Sequence, residues 1–250
     1  NFQVRYNFSK NLFLESNFGL TKQVSSSDQF YSAQDSRFDE ITDVNRKGSY
    51  TARNDENFNY ESISNLNYSV ALGKHQVFST ASLNIASESQ NYKSVVAEGF
   101  PYDQLDNLLF ANQYEQNGRP AGDESTARRV GYLLNANYGY DNRFLADVSI
   151  KRDGSSQYGT DQLFGTFWSA GLGWNIHNET FFKKNDLVNR LKLRMSYGTA
   201  GSLDIPSYSA QSRYNFGVNT GYYNELGAVL SNLGNKLLSW HTVNKLNFGL

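Results

Sequence analysis

The sequence predicts an all-β chain: about nine consecutive antiparallel strands from the wall of a large transmembrane β-barrel, joined by short periplasmic turns and long extracellular loops. Three observations predict it. The first is strict alternation, as in Val130, Tyr132, Leu134, Ala136, Tyr138 and Tyr140, set mainly against the small or polar Gly131, Asn135, Asn137 and Gly139. Period-2 alternation builds strands with one apolar and one polar face. The second is composition: only 39% hydrophobic residues and a mean hydropathy of −0.59, yet 15% aromatics, with 17 Tyr and 17 Phe. A soluble sandwich fills its core with more Val, Ile and Leu, whereas a wall that is oily outside and wet inside does not need them. The third is that connections alternate between short and long along the chain, the asymmetry of outer-membrane barrels.

The first stripe is Phe2, Val4, Tyr6 and Phe8, ended by Ser9-Lys10-Asn11; Leu12, Leu14, Phe18 and Leu20 carry a second strand towards Lys22. From Gln23 to about Asp55 the period disappears, which predicts a long polar loop. Phe58, Tyr60, Leu66, Tyr68, Val70 and Leu72 form the third strand, and Gly73-Lys74-His75 a tight connection. Val77, Ala81, Leu83 and Ile85 mark the fourth, with Phe78 on the opposite face. Ser87 to about Ser125 is predicted as a second long loop with a short helix or 3₁₀ turn over Leu105–Phe110.

The fifth and sixth strands, Val130–Tyr140 and Arg143–Arg152, flank Asp141-Asn142 as a hairpin requires. Asp153-Gly154-Ser155-Ser156 opens a third polar loop, and Phe164–His177 is the seventh strand. Asn178–Asn189 is a short link in which Glu179–Phe182 forms one turn, and Arg190 to about Thr199 is the eighth strand. Ala200–Lys236 is a fourth long loop, before a ninth strand bearing Trp240, Thr242, Leu246, Phe248 and Leu250 on one face. Single-chain bacterial barrels have an even number of strands. An odd count predicts a slice of a larger barrel, cut within strands at both ends.

Several function classes are excluded. No run of apolar residues reaches the roughly 18 that a transmembrane helix needs. A net charge of −1 leaves no electrostatic footprint for nucleic acid. Cysteine is absent, and His75, His177 and His241 match no metal-ligand spacing. No clustered Ser/His/Asp constellation points to an enzyme, so no catalytic, cofactor-binding or metal residue is assigned.

The stretch RFLADVSIKRDGSSQYGTDQLFGTFWSAGLGWNIHNETFF, followed by NRLKLRMSYGTAG, resembles the SusC/RagA-type TonB-dependent outer-membrane transporters. Their pattern is a strand ending R-x-D-G-S-S, then G-x-F-P-S-x-x-x-G-W, an E-x-F-F link and L-K-L-R-x-S-Y-G-x-x-G. The final Asn235–Trp240 and Asn247–Leu250 resemble the family's N-x-x-L-x-W-E…N-x-G-L. Trp168 departs from the usual proline and His241 from the usual glutamate. Before residue 130 only the strand–loop rhythm agrees.

The resemblance implies a ~22-stranded barrel with a plugged lumen, of which residues 1–250 are a partial barrel domain. The plug domain, the TonB-contacting segment and the remaining strands would lie outside this chain. It further implies a Gram-negative outer-membrane location, import of oligosaccharides or peptides energised through TonB, and a SusD-like surface lipoprotein as partner. A siderophore- or vitamin-type receptor shares the architecture. A soluble glycan-binding or adhesin β-domain is the alternative of a different class.

Five groups are candidates for a role. Asp153-Gly154-Ser155-Ser156 reads as a turn beginning a loop rather than a nucleophile or phosphate loop, because no strand–turn–helix context follows. Asp103, Asp106, Asp123 and Glu124 are possible extracellular calcium ligands, but fit no EF-type spacing and are expected to be solvated loop carboxylates. Arg190, Lys192 and Arg194 share one face that must point away from lipid, where they would meet a plug or other interior groups, or draw in an anionic substrate. Tyr140 and Phe144 are placed in an aromatic girdle. Phe100, Tyr102, Tyr114, Tyr208, Tyr214, Tyr222 and Tyr223 are loop aromatics for packing, for sugar stacking or for a lid.

Overall fold

Nine long strands follow one another across a single antiparallel sheet in the computed structural model. It describes residues 1–250 except 117, 183–187, 203–204 and 223–224, and the side chains of 217–226. The strands are β1 (Phe2–Asn7), β2 (Leu12–Tyr31), β3 (Ser49–Leu72), β4 (His75–Glu98), β5 (Gln113–Tyr114), β6 (Ala121–Tyr140), β7 (Phe144–Ser155), β8 (Phe164–Asn175), β9 (Lys192–Ser202), β10 (Arg213–Tyr222), β11 (Glu225–Asn232) and β12 (His241–Gly249). The wall runs β1-β2-β3-β4-β6-β7-β8-β9-β12, with the two-residue β5 added to β4 and β10–β11 forming a separate hairpin. No helix among the described residues is long and apolar enough to cross a membrane.

The register joins the apolar stripes into one outward band. Tyr6 lies opposite Leu14, Leu14 opposite Leu66, Leu66 opposite Ala81, Ala81 opposite Leu134, Leu134 opposite Ile150, and Ile150 opposite Trp168. Further along, Leu172 pairs with Met195 and Met195 with Phe248. Because a slip of one residue would turn every stripe inward, this agreement over nine strands is a strong constraint on register. The band is uncovered: Leu134 is 56% exposed, Leu172 68% and Phe248 71%. A soluble sandwich would bury such a face against a second sheet. Among the described residues the buried hydrophobic ones are Ala97, Phe100, Tyr158 and Phe167, none of them in the band.

Tight turns close one end. Gly73 takes φ +58°, and Asp141 and Asn142 both take φ +53°, with the Arg143 N–H donating to the Tyr140 carbonyl at 2.8 Å. Asn and Asp tolerate this left-handed conformation better than other non-glycine residues. Neighbouring turns are stitched together by Asp141 N–H to the Lys74 carbonyl at 2.7 Å and by a Lys74–Asp141 ion pair at 2.9 Å. Aromatics gather there as expected: Tyr140 pairs with Phe144, Phe144 stacks on Trp174 at 6.2 Å, and His75 lies 5.1 Å from Tyr140.

The opposite end differs from the sequence expectation. The predicted loop 23–55 is strand except for 32–48, because Val24–Tyr31 of β2 pairs without a break against Ser49–Glu56 of β3. Likewise 87–98 and 121–125 belong to β4 and β6, leaving 99–120 as loop with a 3₁₀ turn at Leu108–Phe110. Asp153, Gly154 and Ser155 end β7, which leaves 156–163 as the third loop, shorter than the 176–191 link at the turn end. The fourth loop contains the end of β9 and the β10–β11 hairpin. The physical reason is shared. Backbone bonds make the ladder, while period-2 apolarity arises only where one face is oily. Above the band both faces are polar, so strands continue without their sequence signature.

Trp240 is a second correction. It precedes β12 and leaves the outward stripe, stacking on Tyr158 at 4.4 Å and meeting Phe167 edge-on at 5.6 Å.

Candidate functional site

The inward face of the wall is polar and laced together by its own side chains. Ser82 donates to Asn65 at 2.6 Å, Thr80 to Asn67 at 2.8 Å, and Asn84 to Glu61 at 3.2 Å. Higher up, Lys151 pairs with Asp153 at 2.6 Å and Arg53 with Asp55 at 2.7 Å, while Arg129 comes within 4.0 Å of Glu88. These partners sit on neighbouring strands or two residues apart on one strand, the spacing that shares a face.

Towards the turn end the inward face borders an open hollow of about 1110 Å³. Lys192 and Arg194 of β9 line it with Lys245 of β12, Asp147 of β7 and Asn137 of β6. The expectation that Lys192 and Arg194 turn away from the apolar band is met; Arg190 precedes β9 and is not among the lining residues. Lys245 was missed by sequence reading, although Val243, Lys245 and Asn247 alternate against Thr242, Leu246 and Phe248. Glycines keep the floor flat. A Cβ at Gly171 would overlap the Asp147 carboxylate, one at Gly249 the Arg194 side chain, and one at Gly173 would come within 3.3 Å of Leu145. Side chains therefore lie down across the neighbouring strand instead of standing into the lumen.

At the upper rim two aromatic clusters anchor the loops. Phe100, 2% exposed, meets Phe30 edge-on at 5.2 Å and Tyr50 at 6.2 Å. Beside it the Glu98 carboxylate accepts from Arg46 at 3.3 Å and Gln113 at 3.0 Å. Tyr158, also 2% exposed, donates its hydroxyl to the Ser202 carbonyl at 2.6 Å and fills the gap where the β8–β9 ladder stops at Ser169–Gly198. Gly159 and Gly165 leave no room for a Cβ against Lys236 and Trp240. The Asp153–Ser156 motif is thus a structural joint, with Ser155 buried at 3% exposure and Ser156 N–H donating to the Arg128 carbonyl at 3.0 Å.

The remaining loop candidates are dispersed. Ser32 bonds Asp103, while Asp123 faces Arg213 at 3.5 Å, and no metal-binding group of three acids or histidines exists among the described residues. Tyr208 accepts from the Thr126 N–H at 2.9 Å, so it straps its loop to β6. Tyr102, Tyr114 and Tyr214 are exposed. The Tyr222 side chain and Tyr223 lie outside the described residues.

At the foot, Glu179 is held on three donors. Arg143 reaches it through Nε at 2.9 Å and Nη2 at 2.5 Å, and the Trp174 indole donates at 2.8 Å. The paired guanidinium, with help from the indole, holds the Glu179 carboxyl below the ordinary glutamate range. This gives the E-x-F-F link a function: it clasps the β6–β7 turn to the end of β8.

No protein-family model matches the chain. It is 32% identical over 203 residues to TonB-dependent receptor P39 of Formosa agariphila, covering 80% of this chain and 18% of that receptor. It is 40% identical over 76 residues to TonB-dependent receptor SusC of Bacteroides thetaiotaomicron, covering 30% of this chain and 8% of SusC. Among solved structures, the RagAB peptide transporter superposes with a TM-score of 0.86 at 22% identity, covering 98% of this chain and 26% of that one. The RagAB peptide importer in its open-open state gives 0.83. The chain therefore spans a small part of the curated relatives it matches, and its fold is that of a continuous section of such a wall.

Proposed function

We propose, from a chain whose resemblance to the SusC/RagA-type TonB-dependent transporters is borne out in sequence and fold, that these residues wall a TonB-energised importer of the Gram-negative outer membrane. Residues 1–250 are a partial barrel domain. The plug, the TonB-contacting segment and the strands that pair with the open edges of β1 and β12 belong to the rest of the parent polypeptide. A SusD-like lipoprotein covers the loop end. The cargo is an oligosaccharide or peptide too large for passive pores, and the wall performs no bond chemistry.

The carrying observation is the outward band, aligned strand by strand from Tyr6 to Phe248, exposed or half-exposed along its length and covered by no second layer. The stretch from Val130 to Tyr140 matches the roughly 9–11 residues a tilted strand needs to cross a bilayer. Charges mark its upper limit, with Lys22 paired to Glu56 at 2.6 Å and Arg152 over the Phe164 ring at 5.0 Å. The test is uptake of fluorescent oligosaccharides and peptides by cells expressing the parent protein, with and without TonB. Uptake abolished by loss of TonB is expected. Uptake that persists without TonB would make this a passive pore and overturn the proposal.

A further inference from the structure

Consecutive basic residues on two neighbouring strands each send one cation to either face of the wall. Arg129 of β6 and Lys151 of β7 turn inward and meet carboxylates, Glu88 at 4.0 Å and Asp153 at 2.6 Å. Arg128 and Arg152, their immediate neighbours, turn outward and are exposed. On β6 the outward positions run Leu134, Tyr132, Val130 and Arg128, and on β7 they run Val148, Ile150 and Arg152. Both guanidiniums therefore end the apolar stripe on its loop side. Among the described residues no ion pair includes either of them. The outward positions of β4, β6, β7 and β8 hold a single acid, Glu124, four residues beyond Arg128. Lys22 marks the same limit on β2 but is neutralised by Glu56 at 2.6 Å. Two arginines thus stand without a carboxylate where the apolar band gives way to water.

We propose that Arg128 and Arg152 bind the phosphate of a lipid headgroup in the loop-side leaflet. The inference rests on the barrel reading and names a partner of its outer surface. Continuity favours a lipid over a protein carboxylate or a dissolved anion. The stripe beneath both arginines faces acyl chains, so the group that meets them at their height is a headgroup. The aromatic setting agrees. Arg152 lies opposite Tyr132 and holds its guanidinium over the Phe164 ring at 5.0 Å. Trp168 follows two positions lower on β8. Tyrosine and tryptophan rings settle at headgroup depth, and Tyr132 and Trp168 are 51% and 45% exposed. A Cβ at Gly154 would lie 2.6 Å from the Phe164 ring, so the ring rests against the β7 backbone as a platform beneath the guanidinium. Chemistry selects the phosphate. A guanidinium presents a planar fork of donors that matches two phosphate oxygens, and it sheds water more readily than an ammonium.

Native mass spectrometry of the full-length parent in detergent, mixed with lipid A or with dephosphorylated lipid A, tests this. The unaltered parent is expected to retain lipid A and to lose the dephosphorylated form, a comparison that needs no variant. Arg128→Gln with Arg152→Gln should lower lipid A retention roughly thirtyfold, at about fivefold for each cation near an anionic lipid surface. Lys22→Gln, at the same height but already neutralised, should leave retention unchanged. Equal retention of the two lipids, an equal loss in Lys22→Gln, or displacement of lipid A by inorganic phosphate would overturn the proposal. Heat-modifiable gel migration of the unaltered parent reports on the barrel separately. If it is absent, the barrel reading fails first and this inference falls with it. If it is present and no lipid A is retained, the barrel reading stands and this inference alone falls.

Discussion

Two regions of one sheet meet the water side in different ways. The strands β2, β3, β4 and β6 are 20, 24, 24 and 20 residues long, whereas β7, β8, β9 and β12 are 12, 12, 11 and 9. At about 3.3 Å per residue, β3 reaches roughly 80 Å along its axis, far more than an apolar band ~25 Å tall requires. The short region ends near the band and is finished by packed loops around Tyr158, Phe167 and Trp240. The tall region continues as a four-stranded polar sheet, topped by Phe30, Tyr50 and Phe100. Extending a wall by ladder thus needs no particular side chains, whereas ending it early needs a buried joint.

That difference decides what could be read from the sequence. The short region is legible because nearly every residue there answers to lipid, lumen or joint, as in the alternation of Leu191, Leu193, Met195 and Tyr197 against Lys192 and Arg194. In the tall region Ser25-Ser26-Ser27-Asp28 pairs with Asp55-Asn54-Arg53-Ala52, and no alternation betrays the strand. The candidate basic face was legible for Lys192 and Arg194 by parity. Lys245 joined it only through the β9–β12 pairing, which spans a long stretch of intervening chain.

The largest expected effect tests the joint. Tyr158→Ala should destabilise the refolded parent barrel by about 3–5 kcal/mol in urea titration, the range for truncating a buried aromatic. A change below about 1 kcal/mol would mean that the short region does not depend on its packed rim. Next comes the contrast across the band limit. Leu134→Arg, in the middle of the outward stripe, should cost about 2–4 kcal/mol for folding into lipid vesicles. Val24→Arg, also outward but above the Lys22–Glu56 pair, should stay within about 0.5 kcal/mol. Equal costs at both positions would show that the apolar environment extends up the tall region.

The smallest effect concerns the feet of the two regions and depends on pH. The β3–β4 turn of the tall region is the bare pair Gly73-Lys74, with an exposed ion pair to Asp141. The foot of the short region, where the β6–β7 turn meets the end of β8, is clasped by Glu179, whose side chain is only 5% exposed. Its carboxyl titrates lower in the folded protein than in the unfolded chain because the Arg143 guanidinium and Trp174 indole stabilise its charge. Stability from this source is therefore fully present above the ordinary glutamate range and is lost as pH falls through the lowered value. Hydrogen exchange at the 141–143 and 176–179 backbone amides should rise on acidification relative to that at Gly73–Lys74. The variant Glu179→Gln should abolish that acid-linked difference and give fast exchange at neutral pH as well. If acid loosened both feet equally, or if Glu179→Gln left the acid response intact, the clasp would not be what distinguishes the short region at its base.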